Sequence, residues 1–374
     1  MKVPLLDLKG EYETYKAEAL EAIRHICETQ TFALGPAVAS FERRIADYCG
    51  ARFAIGVSSG SDALLVSLMA MGIGDGDEVI TTPFTFFATA AAIARLGANP
   101  VFVDIDQDTF NIDTTRIESR ITTRSKAIVP VHLFGQAAKM KPIVNIARKH
   151  GLAVVEDAAQ AIGASQNGLK CGNFGTAGCF SFYPTKNLSC FGDGGLVITS
   201  DKNLAEKIRC LRNHGQTGQY IYEQIGGNFR LDAIQAAVLQ VKLKYLDKWN
   251  RQRRQNAAFY DKLFADTPIS APKIAPDNFS IYHQYTIKSA SRDELKNYLL
   301  ANGIASAVFY PKPLHLQECF GYLGYKKGDF PVAEKICSEV LSLPVYPQLT
   351  EEQISYVADT ALGFHKAGRK LKKC

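Results

Sequence analysis

The 374-residue chain contains no apolar run close to the roughly 20 residues that cross a bilayer, so a membrane-spanning helix is not expected. Its opening, Met1-Lys2-Val3-Pro4, leads into mixed sequence without the apolar core of a signal peptide, which points to a cytoplasmic protein. There is no CxxC, no HExxH and no paired Cys/His cluster at zinc spacing, which argues against a structural metal. Nine cysteines, an odd number without repeated spacing, read as free thiols of a reducing compartment. Neither GxGxxG nor a Walker lysine is present, so the common dinucleotide and nucleoside-triphosphate loops are excluded. The formal charge of +6 is modest and draws partly on the basic stretch 366–373, which reads as a solvated end rather than a nucleic-acid arm. No internal repeat or low-complexity segment is found.

What is present is ordinary globular composition, 47% hydrophobic and 21% charged, in a chain longer than the roughly 250–300 residues at which single cores stop growing. Two domains are therefore expected. Helical spacing marks 11–28 and 37–49. A strand at 53–57 leads through Ser58-Ser59-Gly60-Ser61-Asp62 into an apolar helix at 63–71. Strands at 78–82, 100–104, 127–131 and 152–156 then alternate with helices at 84–96, 114–120 and 140–150. Such alternation predicts an α/β fold with a mainly parallel sheet covered on both faces, and ligands at the carboxyl ends of its strands. A long helical pattern over 233–263 carries the chain out of the sheet. Residues 1–248, with an N-terminal arm, are read as the large domain and 249–374 as a small α+β domain.

Three stretches carry chemistry. Cys179-Phe180-Ser181-Phe182-Tyr183-Pro184-Thr185-Lys186 is an apolar β run ending in a turn that presents one lysine, and Gly192-Asp193-Gly194-Gly195 returns the chain to a second β run. A lysine held between buried strands has its pKa lowered by desolvation, which makes the free amine available for a Schiff base; a solvated lysine is the bland alternative. Asp157 lies at a predicted strand end and could equally be a helix cap. The turn at 58–62 points free amides and a helix dipole at an anion, or is simply a Ser/Asp cap. Together, a phosphate-ready turn, an aspartate for a pyridine nitrogen and a presented lysine meet the needs of pyridoxal 5'-phosphate.

With those segments in place, the chain resembles the DegT/DnrJ/StrS group of sugar aminotransferases, fold-type I pyridoxal-phosphate enzymes. The resemblance rests on Ser59-Gly60-Ser61-Asp62-Ala63-Leu64, Gly76-Asp77-Glu78-Val79-Ile80, Val103-Asp104-Ile105, Glu156-Asp157-Ala158-Ala159-Gln160, Ser181 to Lys186, Gly192 to Gly195, and Asn228-Phe229-Arg230-Leu231-Asp232. It implies that Lys186 bonds the cofactor and moves the proton, that Asp157 pairs with the pyridine nitrogen, and that Gln160 lies near the ring hydroxyl, where a histidine is often found. It implies Gly60, Ser61 and Ser181 as phosphate ligands and Phe86 as the stacking aromatic. Asn228 would reach the phosphate of a neighbouring subunit, which makes the enzyme a homodimer with shared sites. Phe86 could instead be a core aromatic and Ser181 could face a polar gap. His214, Tyr310 and His315 are candidates for substrate contact, with a surface histidine as the rival reading of His315.

The resemblance implies amino transfer, commonly from L-glutamate, to a nucleotide-linked keto sugar. The segments 212–216, 281–286 and 310–314 look most like members that aminate C3 of a UDP-linked N-acetyl-3-keto-hexose or hexuronate. Keto-6-deoxy sugars on dTDP, at C3 or C4, are the alternative. A sugar dehydratase would share the fold but carries histidine where this chain has Lys186, and a non-catalytic cofactor-binding protein stays open.

Overall fold

The computed structural model describes residues 1–371, with side chains described through residue 366. The side chains of 367–373, most of the basic stretch read as a solvated end, lie outside the described residues. Among the described residues no helix is long and apolar enough to cross a membrane.

The centre is a seven-stranded sheet. In chain order its strands are β1 (Phe53–Val57), β2 (Glu78–Thr81), β3 (Asn99–Phe102), β4 (Ser125–Ile128), β5 (Ala153–Asp157), β6 (Ala177–Ser181) and β7 (Gly195–Thr199). In space they run β1-β7-β6-β5-β4-β2-β3. Among the described residues β7 alone runs against the rest of this sheet, pairing antiparallel with β1 and β6. The other pairings are parallel, which accords with the strand–helix alternation. Reversal at β7 follows from the connection: the Gly-rich return after Lys186 is a hairpin, not the crossover that a parallel strand requires.

Side-chain alternation sends each strand's apolar residues to two faces. Val155, Cys179 and Val197 pack on one face with Leu64, Leu68, Ile93 and Ile208. Phe180, Leu196 and Ile198 pack on the other with Phe41, Ile45, Leu231 and Leu239. Each such fully buried side chain contributes roughly 1.5–3 kcal/mol, so the strand ends are anchored from both sides. A further core gathers Tyr260, Leu295, Leu299, Ile304 and Val357 around antiparallel β8 (Tyr285–Lys288) and β9 (Val340–Leu343). Val3 joins this core, and its N–H donates to the Gly303 carbonyl at 2.9 Å.

Several elements differ from expectation. The predicted helix at 84–96 shortens to Ala88–Ala94, because the segment after Pro83 folds as a turn that carries Thr85 and Phe86 to the strand ends. The segment 114–120 forms two short 3-10 turns, Thr114–Arg116 and Glu118–Arg120, the first capped by Asp113. The long pattern at 233–263 breaks into Ala233–Leu243 and Leu246–Phe264. At the break Lys244 N and Tyr245 N bond three residues back, and Tyr245 stacks on Trp249 at 5.6 Å.

Candidate active site

The carboxyl ends of β5 and β6 open on a cavity of about 640 Å³, lined by the start of the helix Gly60–Ala70, the 85–88 turn, Asp157, Gln160, Ser181, Lys186, His283, Phe309 and Tyr310. Its position follows from the topology, since parallel strands direct their loops to one edge of the sheet.

Lys186 sits on the excursion between β6 and β7. Its N–H donates to the Tyr183 carbonyl at 2.8 Å, which closes a tight turn. Below, Phe182 N donates to Gly194 O at 2.8 Å and Cys190 N to Phe182 O at 2.7 Å. Phe182 and Leu188 are fully buried and fasten the loop to the core. On its flank the Asn187 amide donates to Asn250 Oδ1 at 2.8 Å and to the Ile281 carbonyl at 3.3 Å. Burial lowers the Lys186 pKa to about 8, against the opposing attraction of Asp157. A substantial share of the amine is therefore neutral near pH 8.

Asp157 ends β5, the central strand. Thr89 Oγ1 donates to its Oδ2 at 2.7 Å, Thr85 contacts Thr89 at 3.0 Å, and Ala159 N donates to Oδ1 at 3.2 Å. Burial raises the Asp157 pKa, while the Thr89 and Ala159 bonds and then the Lys186 charge oppose it. A desolvated carboxylate with this little support is the partner a buried heterocyclic cation needs.

The third part is an anion cradle. Ser59 Oγ caps the helix by accepting from Asp62 N at 3.0 Å. The Asp62 carboxylate is drawn back by the Ser58 and Ser59 hydroxyls at 2.7 and 2.9 Å. The amides of Gly60 and Ser61, in the first helical turn, have no intrahelical acceptor. Glycine is required here: a Cβ on Gly60 would stand 2.6 Å from Ser181 Cβ, and one on Gly195 would stand 2.2 Å from the Ser59 carbonyl. This close approach brings the Ser181 hydroxyl beside the helix start. The donor set fits a phosphate, and the lysine and aspartate at the far side fit an aromatic aldehyde with a basic ring nitrogen.

Phe86 is 56% exposed, unlike a core aromatic, and its ring centre lies 6.2 Å from that of Tyr310. The Gln160 amide is engaged at both ends, accepting from Phe134 N at 2.7 Å and donating to the Tyr310 hydroxyl at 3.0 Å. Three named residues do not line this cavity. His214, at φ 62°, donates through its backbone N–H to Gly227 O at 2.9 Å. Asn228 bridges antiparallel to Asn213. His315 is buried against Glu334 at 3.1 Å, with its ring edge-on to Phe330, so it is neither exposed nor in the cavity.

Sequence reasoning passed over Thr85, Thr89, Asn187 and His283. Thr85 and Thr89 stand four apart around Phe86, a visible signal; nothing local in the sequence ties His283 to Lys186.

Comparison with known proteins agrees with the motif resemblance. Residues 13–361 match the model of the DegT/DnrJ/EryC1/StrS aminotransferase family. A Geobacillus stearothermophilus protein named as a pleiotropic regulatory protein is 50% identical over 98% of this chain and 99% of its own. The UDP-N-acetyl-3-dehydro-alpha-D-glucosamine 3-aminotransferase of Acidithiobacillus ferrooxidans is 43% identical over 95% of this chain and 96% of its own. The solved structure of Streptomyces venezuelae DesV in complex with a ketimine intermediate superposes with a TM-score of 0.95 at 43% identity, covering 97% of this chain and 98% of that one. A match spanning nearly the whole chain, over a cavity that supplies lysine, aspartate and an anion cradle, leads to one conclusion: the chain belongs to the DegT/DnrJ/EryC1/StrS aminotransferase family and is a pyridoxal 5'-phosphate-dependent sugar aminotransferase.

Proposed function

We propose that the protein, as a homodimer with shared active sites, transfers the amino group of L-glutamate to C3 of a nucleotide-linked 3-keto sugar, with a UDP-linked N-acetyl sugar as the first candidate. The observation that carries this reading is the buried Lys186 amine facing the same cavity as the Asp157 carboxylate, beside a helix start that can take a phosphate. The named activity of the Acidithiobacillus relative supports amination at C3 and a UDP sugar.

When bound, pyridoxal phosphate supplies an electron sink that makes a carbon-bound proton mobile. The remaining work falls to the chain. Lys186 would be the residue that bonds the cofactor, and its free amine, with its pKa lowered to about 8, would be the base that holds and moves the proton. Asp157, whose two oxygens take the Thr89 hydroxyl and the Ala159 amide, would set a carboxylate against the ring nitrogen. Gly60, Ser61 and Ser181 would hold the phosphate, Phe86 would stack on the ring, and Gln160, bonded to Tyr310, would stand near the ring hydroxyl. Asn228, outside its own cavity, would reach the phosphate in the site of the partner subunit.

Mixing L-glutamate with the cofactor-loaded protein should bleach the visible absorbance of the bound cofactor. A UDP-linked N-acetyl-3-keto sugar should restore it. Recovery only with a dTDP-linked keto-deoxy sugar would move the assignment to that substrate, and no response to any amino donor would overturn transamination.

A further inference from the structure

One buried titratable group in the cavity has no part in the chemistry above. His283 is 7% exposed and lines the cavity with Lys186, although it enters from the segment that leads into β8, 97 positions further along the chain. Its Nδ1 lies 3.2 Å from Asn187 Oδ1. The orientation of the Asn187 amide decides the ring's tautomer. Asn187 Nδ2 faces two acceptors, Asn250 Oδ1 and the Ile281 carbonyl, so Oδ1 must be the atom turned to the histidine. Asn250 is itself oriented by donating to the Ile162 carbonyl at 3.1 Å. The Asn187 oxygen can only accept, so Nδ1 carries the hydrogen and Nε2 carries the lone pair. Among the described residues Nε2 makes no hydrogen bond in this conformation, to Lys186 included, and with the ring lining the cavity it is free to accept one.

We propose that His283 is a positioning residue for the Lys186 amine: held by Asn187 as the Nδ1–H tautomer, it turns its Nε2 lone pair to the cavity and accepts an N–H of Lys186. The lysine's own lone pair is thereby aimed at the carbon it attacks.

The electrostatics agree. Burial, then Lys186 and then Arg253, push the His283 pKa well below its ordinary value, so the ring is neutral at working pH and adds no third cation to the site. Arg253 is itself fixed on the Val345 carbonyl at 2.9 Å. A neutral acceptor next to Lys186 suits a lysine that must alternate between ammonium and amine, whereas a cation there would repel one of its two states.

This inference rests on the assignment of Lys186 as the cofactor lysine. Full-length protein stripped of cofactor is mixed with pyridoxal 5'-phosphate, covalent bonding is followed by absorbance, and the product is reduced with borohydride and mapped by peptide mass. His283→Gln keeps an acceptor near the Nε2 position, whereas His283→Asn keeps only the donor to Asn187. At about pH 9.5, above the Lys186 value of about 8, the Asn variant should bond about 10-fold or more slowly and the Gln variant within about 3-fold of the native rate. Equal rates in both variants, whether native or slowed, would reduce His283 to a packing residue and overturn the proposal. Comparing two folded polar variants avoids reliance on a disruptive apolar one. A Lys186→Ala control should lose the mapped adduct; an adduct mapping to another lysine in the native chain would overturn the functional reading instead.

Discussion

Glu156 and Asp157 are adjacent in β5 and both buried, yet they face opposite sides of the sheet and meet different surroundings. Glu156 is saturated. Its Oε1 accepts from Phe174 N at 2.7 Å and Gly175 N at 2.8 Å, and its Oε2 from Gly172 N at 2.7 Å and the His132 ring at 2.8 Å. The backbone amide of Ala138 donates to His132 Nδ1 at 3.1 Å, so His132 Nε2 carries the hydrogen given to Glu156. Asp157 accepts one hydroxyl and one long amide bond and otherwise opens on the cavity. The first carboxylate has spent its capacity on holding loops; the second keeps capacity for a ligand. Two buried acids one residue apart thus separate into scaffold and chemistry by hydrogen-bond saturation, a distinction that burial alone would miss.

Substitutions on the two faces should break this symmetry in different measurements. The largest effect belongs to the cavity side: Lys186→Ala should lower turnover with L-glutamate on the order of 10³-fold or more, with the unfolding midpoint little changed. Asp157→Asn should follow, with a loss of about 10²–10³-fold in turnover and no loss of stability, because a poorly supported buried charge is removed. Glu156→Gln should do the reverse. Replacing an acceptor-only carboxylate by an amide turns an N–H toward donors, which should cost about 2–4 kcal/mol by denaturant unfolding while the folded fraction keeps its turnover within a few-fold. Thr89→Val removes one bond to Asp157 and should weaken cofactor retention by about 10-fold, read by dialysis against buffer without cofactor.

The mildest test is of pH. The Lys186 value falls from 10.5 in the unfolded chain to about 8 in the fold, so the amine becomes available as pH rises through about 8. The rate of covalent bonding to added cofactor should climb over that range and level off above it. The same shift means that unfolding takes up a proton between about 8 and 10.5. The cofactor-free protein should therefore gain stability from this group as pH rises across that window.

Much of the sheet was legible because strands such as Ala153–Asp157 and Gly195–Thr199 are apolar runs bounded by Gly-rich or polar turns. Elements whose form depends on tertiary contacts were not. The break between Ala233–Leu243 and Leu246–Phe264 carries no proline or glycine at 244–245. It is bent by partners distant in the chain, with Tyr245 and Lys244 bonded to Glu18 and Lys242 bound to Glu11 at 3.0 Å. The segment 84–87 reads as helix by its apolar content but is claimed by the cavity wall.

For the candidate site, the sequence by itself determined the parts: a lysine on a turn between apolar strands, an aspartate at a strand end, and glycines where any Cβ would collide. These are local requirements of backbone and burial, and they leave local marks. Only the tertiary structure decided which distant groups complete the cavity. Thr89 reaches Asp157, Tyr310 takes the amide of Gln160, and His283 meets Asn187 beside the lysine. Each of those pairings is a hydrogen bond across 68 to 150 positions of chain, and no local propensity encodes a partner at that separation. It is set by how the strands order themselves and which loops they bring to one edge of the sheet.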